Sequence, residues 1–531
     1  MTLLSLENLT VAFDDKRVVD GASFSIAKGK TLGLVGESGS GKSMIASAIA
    51  GLLPAAAQGT GRLRFDGAQL DIANEASWTK LRGRRIGFVF QDPFASFDPL
   101  ISVGAQIAQA SFLAPESAMR RAVALLDECG LPDPASAARA YPHQLSGGQL
   151  QRAGIAAAIA AEPDLLIADE PTTALDVSVQ AQVLRVLKAA QARHGMAMLF
   201  ISHDLAVVGE IADRVAVMRD GRIVETGPVV QVLRAPAHEY TRLLLASRPA
   251  GKLPGKDALA PGYAMEAKGI DFAYPARRRG TTPAKALDGV SLKIPRGACL
   301  GLVGESGSGK STLGRIAIGL LRPAAGTIRV CGLDPMDRGR IAERARKAQM
   351  VFQDAAGSLN PRLTIEASLS EPFALHRIGA KSEWRERAAS LLGEVGLARE
   401  HLARYPHELS GGQRQRVAIA RALALDPEFL VCDEPVTALD MTIQAQILAL
   451  LRKIRDRRGV SMLFIGHDIG AIETLADRIA VMKDGRVIEE GTAVQVLNHP
   501  LAAYTRTLLD AVPRFKAIEA PATAARETID A

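Results

Sequence analysis

Residues 32–43 read LGLVGESGSGKS, and the same twelve letters return at residues 300–311. In each copy a short apolar run, TLGLV or CLGLV, leads into glycines and serines, and a helix-compatible stretch follows. Such a run, buried on both faces, reads as a parallel strand, and the glycines read as the turn that leaves it. The rest of the chain repeats around this anchor. Lys42 and Lys310 stand 268 positions apart, Gln91 and Gln353 262, and Ser146 and Ser410 264. Asp169 and Asp433 are also 264 apart, as are His203 and His467. Order and near-constant spacing over a period this long mean a duplicated domain, not a solenoid of short repeats.

The period divides the 531 residues into a first domain at 1–247, a linker at 248–262 and a second domain at 263–513, with a polar tail at 514–531. The linker carries Pro249, Pro254 and Pro261 among glycines and has no apolar periodicity. Extended, its 15 residues reach about 50 Å at ~3.4 Å each, enough to place two domains side by side in opposite orientations. Within each copy, DLLIADEP (164–171), FLVCDEP (429–435), MAMLFISHD (196–204) and VSMLFIGHD (460–468) are further buried-strand runs that alternate with helical patterns. The expected fold class is α/β. Segments 93–144 and 355–408 read as mainly helical.

Composition sets limits. Hydrophobic residues are 48% and charged residues 23%, an ordinary globular balance that argues against disorder. The net charge of +7 is modest for this length. The opening MTLLSLENLT lacks the basic start of a secretory signal, and apolar runs are broken well before ~20 residues, so no membrane span is expected. The cysteines Cys129, Cys299, Cys331 and Cys432 form no CxxC pair, and buried thiols are expected.

The repeated motifs carry chemistry. Residues 36–43 and 304–311 fit G-x-x-x-x-G-K-[ST], a loop whose backbone N–H groups face phosphates at the start of a helix. The nucleotide-holding residues are expected to be Gly36, Ser38, Gly39, Gly41, Lys42 and Ser43, with Gly304, Ser306, Gly307, Gly309, Lys310, Ser311 and Thr312 in the second copy. The lysines would reach the β- and γ-phosphates, and Ser43 and Ser311 would ligate magnesium. Asp169 and Asp433, at strand ends, would hold the metal shell; Glu170 and Glu434, one residue on, would act as general bases. His203 and His467 follow the next strand and would orient the glutamate. In LSGGQ, Ser146, Gly147, Gly148 and Gln149, with Ser410, Gly411, Gly412 and Gln413, offer small residues that can cap an anion.

Taken together, phosphate loop, glutamine, LSGGQ, apolar run ending in Asp-Glu, and histidine resemble the ATP-binding cassette family over nearly the whole chain. The resemblance implies two tandem P-loop NTPase domains, each with a parallel-sheet core, an antiparallel β subdomain and a helical subdomain. It implies ATP and Mg2+ as ligands. By the same resemblance Gln91 and Gln353 sense the γ-phosphate through the metal, and Ala174-Leu175-Asp176 and Ala438-Leu439-Asp440 match the D-loop. Phe13 and Tyr274 fall where an aromatic packs on adenine, and LSGGQ of one domain closes over ATP held by the other. The implied partners are two integral-membrane permease subunits, docked on the helical segments, and an extracytoplasmic binding protein acting through them, with no nucleic acid. The implied place is the cytoplasmic face of the cell membrane, as a peripheral subunit.

LDVSVQAQVL (175–184), LDMTIQAQIL (439–448), HEYTRLLLASRP (238–249) and AAYTRTLLDAVP (502–513) are similar to the peptide, dipeptide and nickel importer subfamily. Peptide-like cargo is the corresponding expectation. No cysteine cluster accompanies the tail, so no iron–sulfur site is expected. The alternative is a soluble tandem cassette acting on ribosomes or nucleic acid; the short Pro-, Gly- and Ala-rich linker and the absence of zinc-type cysteines weigh against it. The copies also diverge. Met44 faces Thr312 in the repeat, Leu150 and Ala157 face Arg414 and Arg421, and Gly466 replaces a serine before the histidine.

Overall fold

The computed structural model describes residues 1–173, 175–246, 260–275, 284–437 and 439–512. The chain separates into two compact units, Met1–Ser247 and Arg248–Ala511. The greater part of the sequence-predicted linker lies outside the described residues, as do the 514–531 tail, Pro513, Ala174 and Ala438. Residues 260–262, read above as the end of the linker, are already strand, and Ala260 pairs with Arg296.

The first unit runs β1 (Thr2–Phe13), β2 (Lys16–Ala27), β3 (Thr31–Val35), a helix Lys42–Ala50, β4 (Ala57–Phe65), β5 (Ala68–Leu70) and β6 (Ile86–Val89). Helices Val103–Ala110, Pro115–Glu128, Pro134–Arg139 and Gly147–Ala158 follow. The chain then alternates β7 (Leu165–Asp169), helix Val177–His194, β8 (Ala197–Ser202), helix Leu205–Ile211, β9 (Arg214–Arg219) and β10 (Arg222–Pro228), and ends on helices Val229–Arg234 and Glu239–Ala246. Strands β2-β1-β4-β5 form an antiparallel sheet. The central sheet has the order β10-β9-β3-β8-β7-β6 and is parallel except for the β9–β10 hairpin.

The second unit repeats the plan with β11 (Ala260–Tyr274), β12 (Ala284–Arg296), β13 (Cys299–Val303), β14 (Ala325–Val330), β15 (Ala348–Val351), β16 (Phe429–Asp433), β17 (Ser461–Ile465), β18 (Arg478–Lys483) and β19 (Arg486–Thr492). Its sheets are β12-β11-β14 and β15-β16-β17-β13-β18-β19.

Every residue of β3, β7, β8, β13, β16 and β17 is buried. Helices cover one face of the first central sheet, and the helix Lys42–Ala50 with the antiparallel sheet covers the other, which is why these strands are continuously apolar instead of alternating. Two apolar clusters flank the first central sheet: Leu34, Ile45, Ile167 and Leu199 on one side, Val35, Ala168, Phe200 and Val208 on the other. The carboxyl ends of β3, β7 and β8 therefore point into a crevice at the sheet's edge, the usual place for a ligand in an open α/β sheet. All four cysteines are free and buried. Burial pushes the Cys129 thiol up to about 12 and the Cys331 thiol to about 11. Among the described residues no helix is long and apolar enough to cross a membrane.

Candidate nucleotide sites

The loop after β3 is shaped by what it passes. A Cβ on Gly36 would sit 2.2 Å from the Met218 carbonyl of β9, and one on Gly304 would sit 2.2 Å from the Met482 carbonyl. Only glycine lets the chain lie this close to its neighbour. Gly41 and Gly309 cap the following helices at φ 101°, a left-handed geometry that glycine adopts without cost. The loop thereby delivers Lys42 and Lys310 at the first helical position, both buried. The Lys42 ammonium donates to the carbonyls of Gly36 at 2.8 Å and Glu37 at 2.7 Å. Lys310 does the same to Gly304 at 2.6 Å and Glu305 at 2.8 Å.

Asp169 ends β7 and Asp433 ends β16, both buried. The Ser311 hydroxyl donates to Asp433 Oδ1 at 2.7 Å. Burial raises both aspartates above the usual carboxylate range, and the charge of the adjacent glutamate adds to it; the hydroxyls of Ser43 and Ser311 and the two lysines pull the other way. Asp169 Oδ1 is buried without a hydrogen-bond partner. A buried carboxylate oxygen left unpaired beside a hydroxyl suits a hard cation, since Mg2+ takes one or two protein oxygens and completes its shell with water and phosphate. Among the described residues no group of three or more His, Cys, Asp or Glu converges on a common point.

Glu170 and Glu434 follow at φ 46°, left-handed backbone that a glutamate adopts at a cost of roughly 1–2 kcal/mol. The strain is held by the strand pairing: Glu170 N–H donates to the Ile201 carbonyl at 3.0 Å, and Glu434 N–H to that of Ile465 at 2.9 Å. One carboxylate oxygen, Glu170 Oε2, then collects the Thr173 hydroxyl at 2.8 Å, the Gln91 amide at 3.1 Å and His203 Nδ1 at 3.5 Å. Glu434 Oε2 collects Thr437 at 3.1 Å, Gln353 at 2.9 Å and His467 at 3.5 Å. Burial alone would raise these carboxyls, but the histidine, threonine and lysine outweigh it, and Glu170 falls to about 2. Glu434 is lowered for the same reasons.

The structure thus brings lysine, serine, aspartate, glutamate, glutamine and histidine to one crevice in each unit. Tyr274 lies beside it, its hydroxyl 3.2 Å from Thr312 Oγ1 on the lysine's helix. Phe13 ends β1 in the β1–β2 hairpin, opposite Lys16 and Ala57. LSGGQ forms the start of a separate helix. Ser146 and Gln149 close a capping box, with bonds of 3.3 and 3.0 Å, and Ser410 and Gln413 repeat it at 3.3 and 2.9 Å. The serine and glutamine side chains are therefore engaged with the helix end itself. Gly148 and Gly412 are required by the next helix: a Cβ there would lie 2.5 Å from Val179 or 2.6 Å from Ile443.

Two sets of residues escaped sequence reasoning. Thr173 and Thr437 complete the glutamate's cage, and Tyr240 and Tyr504 hydrogen-bond the phosphate loops. Both sets keep the 264-residue offset, the signal that would have found them.

The divergence between copies has a structural consequence. Arg421, on the helix Gly411–Leu423 that LSGGQ starts, donates to the Ser358 carbonyl and so occupies the space beside that helix. In the first unit Ala157 leaves that space open, and it lines a cavity of about 610 Å3 with Phe88, Phe90, Phe97, Ile101 and Phe112.

Comparison with known proteins gives two families, each matched twice along the chain. The family described as ABC transporter matches residues 19–173 and 287–437. The family described as oligopeptide/dipeptide transporter, C-terminal region, matches residues 224–263 and 488–528. The Peptidoglycan transport ATP-binding protein YejF of Agrobacterium fabrum is 43% identical, covering 98% of this chain and 98% of the relative. The Oligopeptide transport ATP-binding protein OppD of Mycobacterium tuberculosis is 40% identical over 96% of this chain and 98% of its own length. The Glutathione import ATP-binding protein GsiA of Escherichia coli is 41% identical over 96% and 89%.

Proposed function

This chain belongs to the ABC transporter family as a tandem ATPase, and we propose on that premise that it energises a membrane importer of peptides or peptide-like compounds. The observation that carries the reading is the pairing of each ATPase match with an oligopeptide/dipeptide transporter C-terminal match, twice in one chain. Relatives alike over nearly their whole length are named for peptidoglycan, oligopeptide and glutathione transport. None is named for ribosomes or nucleic acid among those three, so the alternative gains no support from them.

In the proposed mechanism, the backbone N–H groups of Gly39, Gly41, Lys42 and Ser43 receive the phosphates, and Lys42 exchanges the Gly36 and Glu37 carbonyls for phosphate oxygens. The second pocket uses Gly307, Gly309, Lys310 and Ser311 in the same way. Tyr274 supports adenine from one side, and Phe13 takes that place in the first unit. Ser43 with Asp169, and Ser311 with Asp433, would hold Mg2+, which neutralises charge developing on the phosphoryl oxygens. Gln91 and Gln353 would join that shell. Glu170 and Glu434 take the proton from the attacking water as the bond to the leaving ADP breaks. The histidine and glutamine on the same carboxylate oxygen fix where that water stands. Ser146, Gly147 and Gly148, with their counterparts Ser410, Gly411 and Gly412, start helices whose backbone N–H groups would cap a nucleotide phosphate.

The partners are two permease subunits, to which an extracytoplasmic binding protein delivers cargo, and the site of action is the cytoplasmic face of the membrane. The aromatic cavity beside Gln91 is the face we assign to a permease on the first unit. A strain lacking the gene, complemented with the wild-type chain or with Lys42→Ala and Lys310→Ala together, tests this. Uptake of short labelled peptides is expected to return only with the wild type. Normal uptake across a broad peptide panel in the deletion strain, with loss of sugar or metal import instead, would overturn the cargo class.

A further inference from the structure

The segments that follow each ATPase core end in short helices, Glu239–Ala246 and Ala503–Asp510. Each is anchored by one carboxylate on the last strand of the sheet. Glu225 accepts the Ala237 and His238 N–H groups at 2.8 and 3.1 Å, and Glu489 accepts those of Leu501 and Ala502 at 2.7 and 3.0 Å. These bonds orient the helix so that a tyrosine points back into the unit. The Tyr240 hydroxyl accepts the backbone N–H of Glu37 at 3.3 Å, across 203 residues. Tyr504 accepts that of Glu305 at 3.2 Å, across 199.

The peptide group involved is the one that also parks the lysine. Its carbonyl, that of Gly36, accepts Lys42 Nζ, and its N–H, that of Glu37, donates to Tyr240. The group is thus held from both ends, and a donated N–H strengthens the carbonyl as an acceptor through polarisation of the amide. The tyrosine ring is fixed in turn. Arg219 lies 5.0 Å over the Tyr240 ring, and Lys483 lies 4.8 Å over that of Tyr504. Arg219 is the neighbour of Met218, whose carbonyl occupies the space a Cβ on Gly36 would need. The tail helix therefore touches the phosphate loop directly and again through the end of β9.

We propose that Tyr240 and Tyr504 are positioning residues for nucleotide binding, through which each tail segment sets the affinity of its own phosphate loop for ATP. The inference rests on the loops being nucleotide sites and adds a role for the tail beyond its packing. Without the hydroxyl, the Glu37 N–H loses its partner and the loop's first peptide can turn, so the phosphate-facing arrangement must be organised on binding. Loss of one such hydrogen bond weakens binding about fivefold, equivalent to about 1 kcal/mol. Coupling is reciprocal, so ATP must also hold the tail in place.

The test uses the full chain carrying Lys310→Ala, so that high-affinity binding reports the first pocket. Binding of a fluorescent ATP analogue with Mg2+ is titrated in Tyr240→Phe and in Leu244→Ala, which trims the same buried helix face but keeps the hydroxyl. Tyr240→Phe is expected to raise Kd about fivefold with an unchanged melting temperature. Leu244→Ala is expected to stay within about twofold. In turnover measurements on the otherwise native chain, Tyr240→Phe with Tyr504→Phe should raise KM for ATP and leave kcat at saturation near wild type. Hydrogen exchange of residues 239–246 should slow on ATP addition in the wild type but not in Tyr240→Phe. An unchanged Kd in Tyr240→Phe, or an equal rise in Leu244→Ala, overturns the proposal. Unchanged binding in Lys42→Ala would instead overturn the nucleotide-site reading beneath it.

Discussion

Exchange of Glu170 and Glu434 together for glutamine removes the assigned proton acceptor from both pockets while keeping its shape. The glutamine carbonyl can take the place of Oε2 and still accept from Thr173, Gln91 and His203. The fold should hold, and ATP affinity with it, because Lys42 and the loop N–H groups are untouched. Turnover should fall by about 10²–10⁴-fold, the usual contribution of a positioned general base. The same exchange has a pH signature. The Glu170 carboxyl sits at about 2 against an ordinary 4.5, and its side chain is only 14% exposed. A lowered folded pKa contributes stability that is complete above 4.5 and is lost as pH falls toward 2. At 1.36 kcal/mol per unit the contribution is about 3 kcal/mol. Glutamine does not titrate, so the stability gap between wild type and Glu170→Gln should shrink by about this amount between pH 5 and pH 2. Phosphate release, nucleotide retention on a filter and urea midpoints measure the three outcomes. Full turnover in the double variant would remove the base from these acids, and a pH-independent stability gap would refute the donor cage as the cause of the lowered carboxyl.

Two further outcomes follow from the same geometry. Gly36→Ala should abolish high-affinity nucleotide binding in the first unit, since its Cβ would meet the Met218 carbonyl at 2.2 Å, and photolabelling of each pocket by an azido nucleotide would detect the selective loss. Arg455 is 5% exposed and bonds the Leu475 carbonyl at 2.8 Å and Asp477 at 3.3 Å, so Arg455→Ala should destabilise the second unit by about 3 kcal/mol and lower its melting transition.

The parts of the fold that could be read from sequence are those with local causes. TLGLV, LLIAD and FLVCD are continuously apolar because both faces of their sheet are covered, and each ends where a polar crevice begins. The glycines of the phosphate loops announce themselves because only glycine fits against the Met218 and Met482 carbonyls. Contacts closed by tertiary folding leave no such pattern. Tyr240 reaches Glu37 across 203 residues, and nothing in HEYTRL indicates that the hydroxyl points at a loop near the other end of the unit. Thr173 resembles any turn residue until the left-handed backbone of Glu170 swings the carboxylate over it. The cavity beside Ala157 was foreshadowed as a missing arginine, but its aromatic lining comes from residues 88–112, brought there by the helical segment.

The most direct test of coupling between this ATPase and import is turnover in proteoliposomes that hold the chain with the two permease subunits proposed for it. ATP hydrolysis is measured with and without the proposed binding protein and a candidate peptide. The expected result is slow hydrolysis by the isolated chain and by the empty complex, and several-fold stimulation only when binding protein and peptide are both present, with peptide accumulating in the lumen into which the permease delivers it. Equal rates in every arm, with no peptide accumulation, would contradict an importer-coupled ATPase.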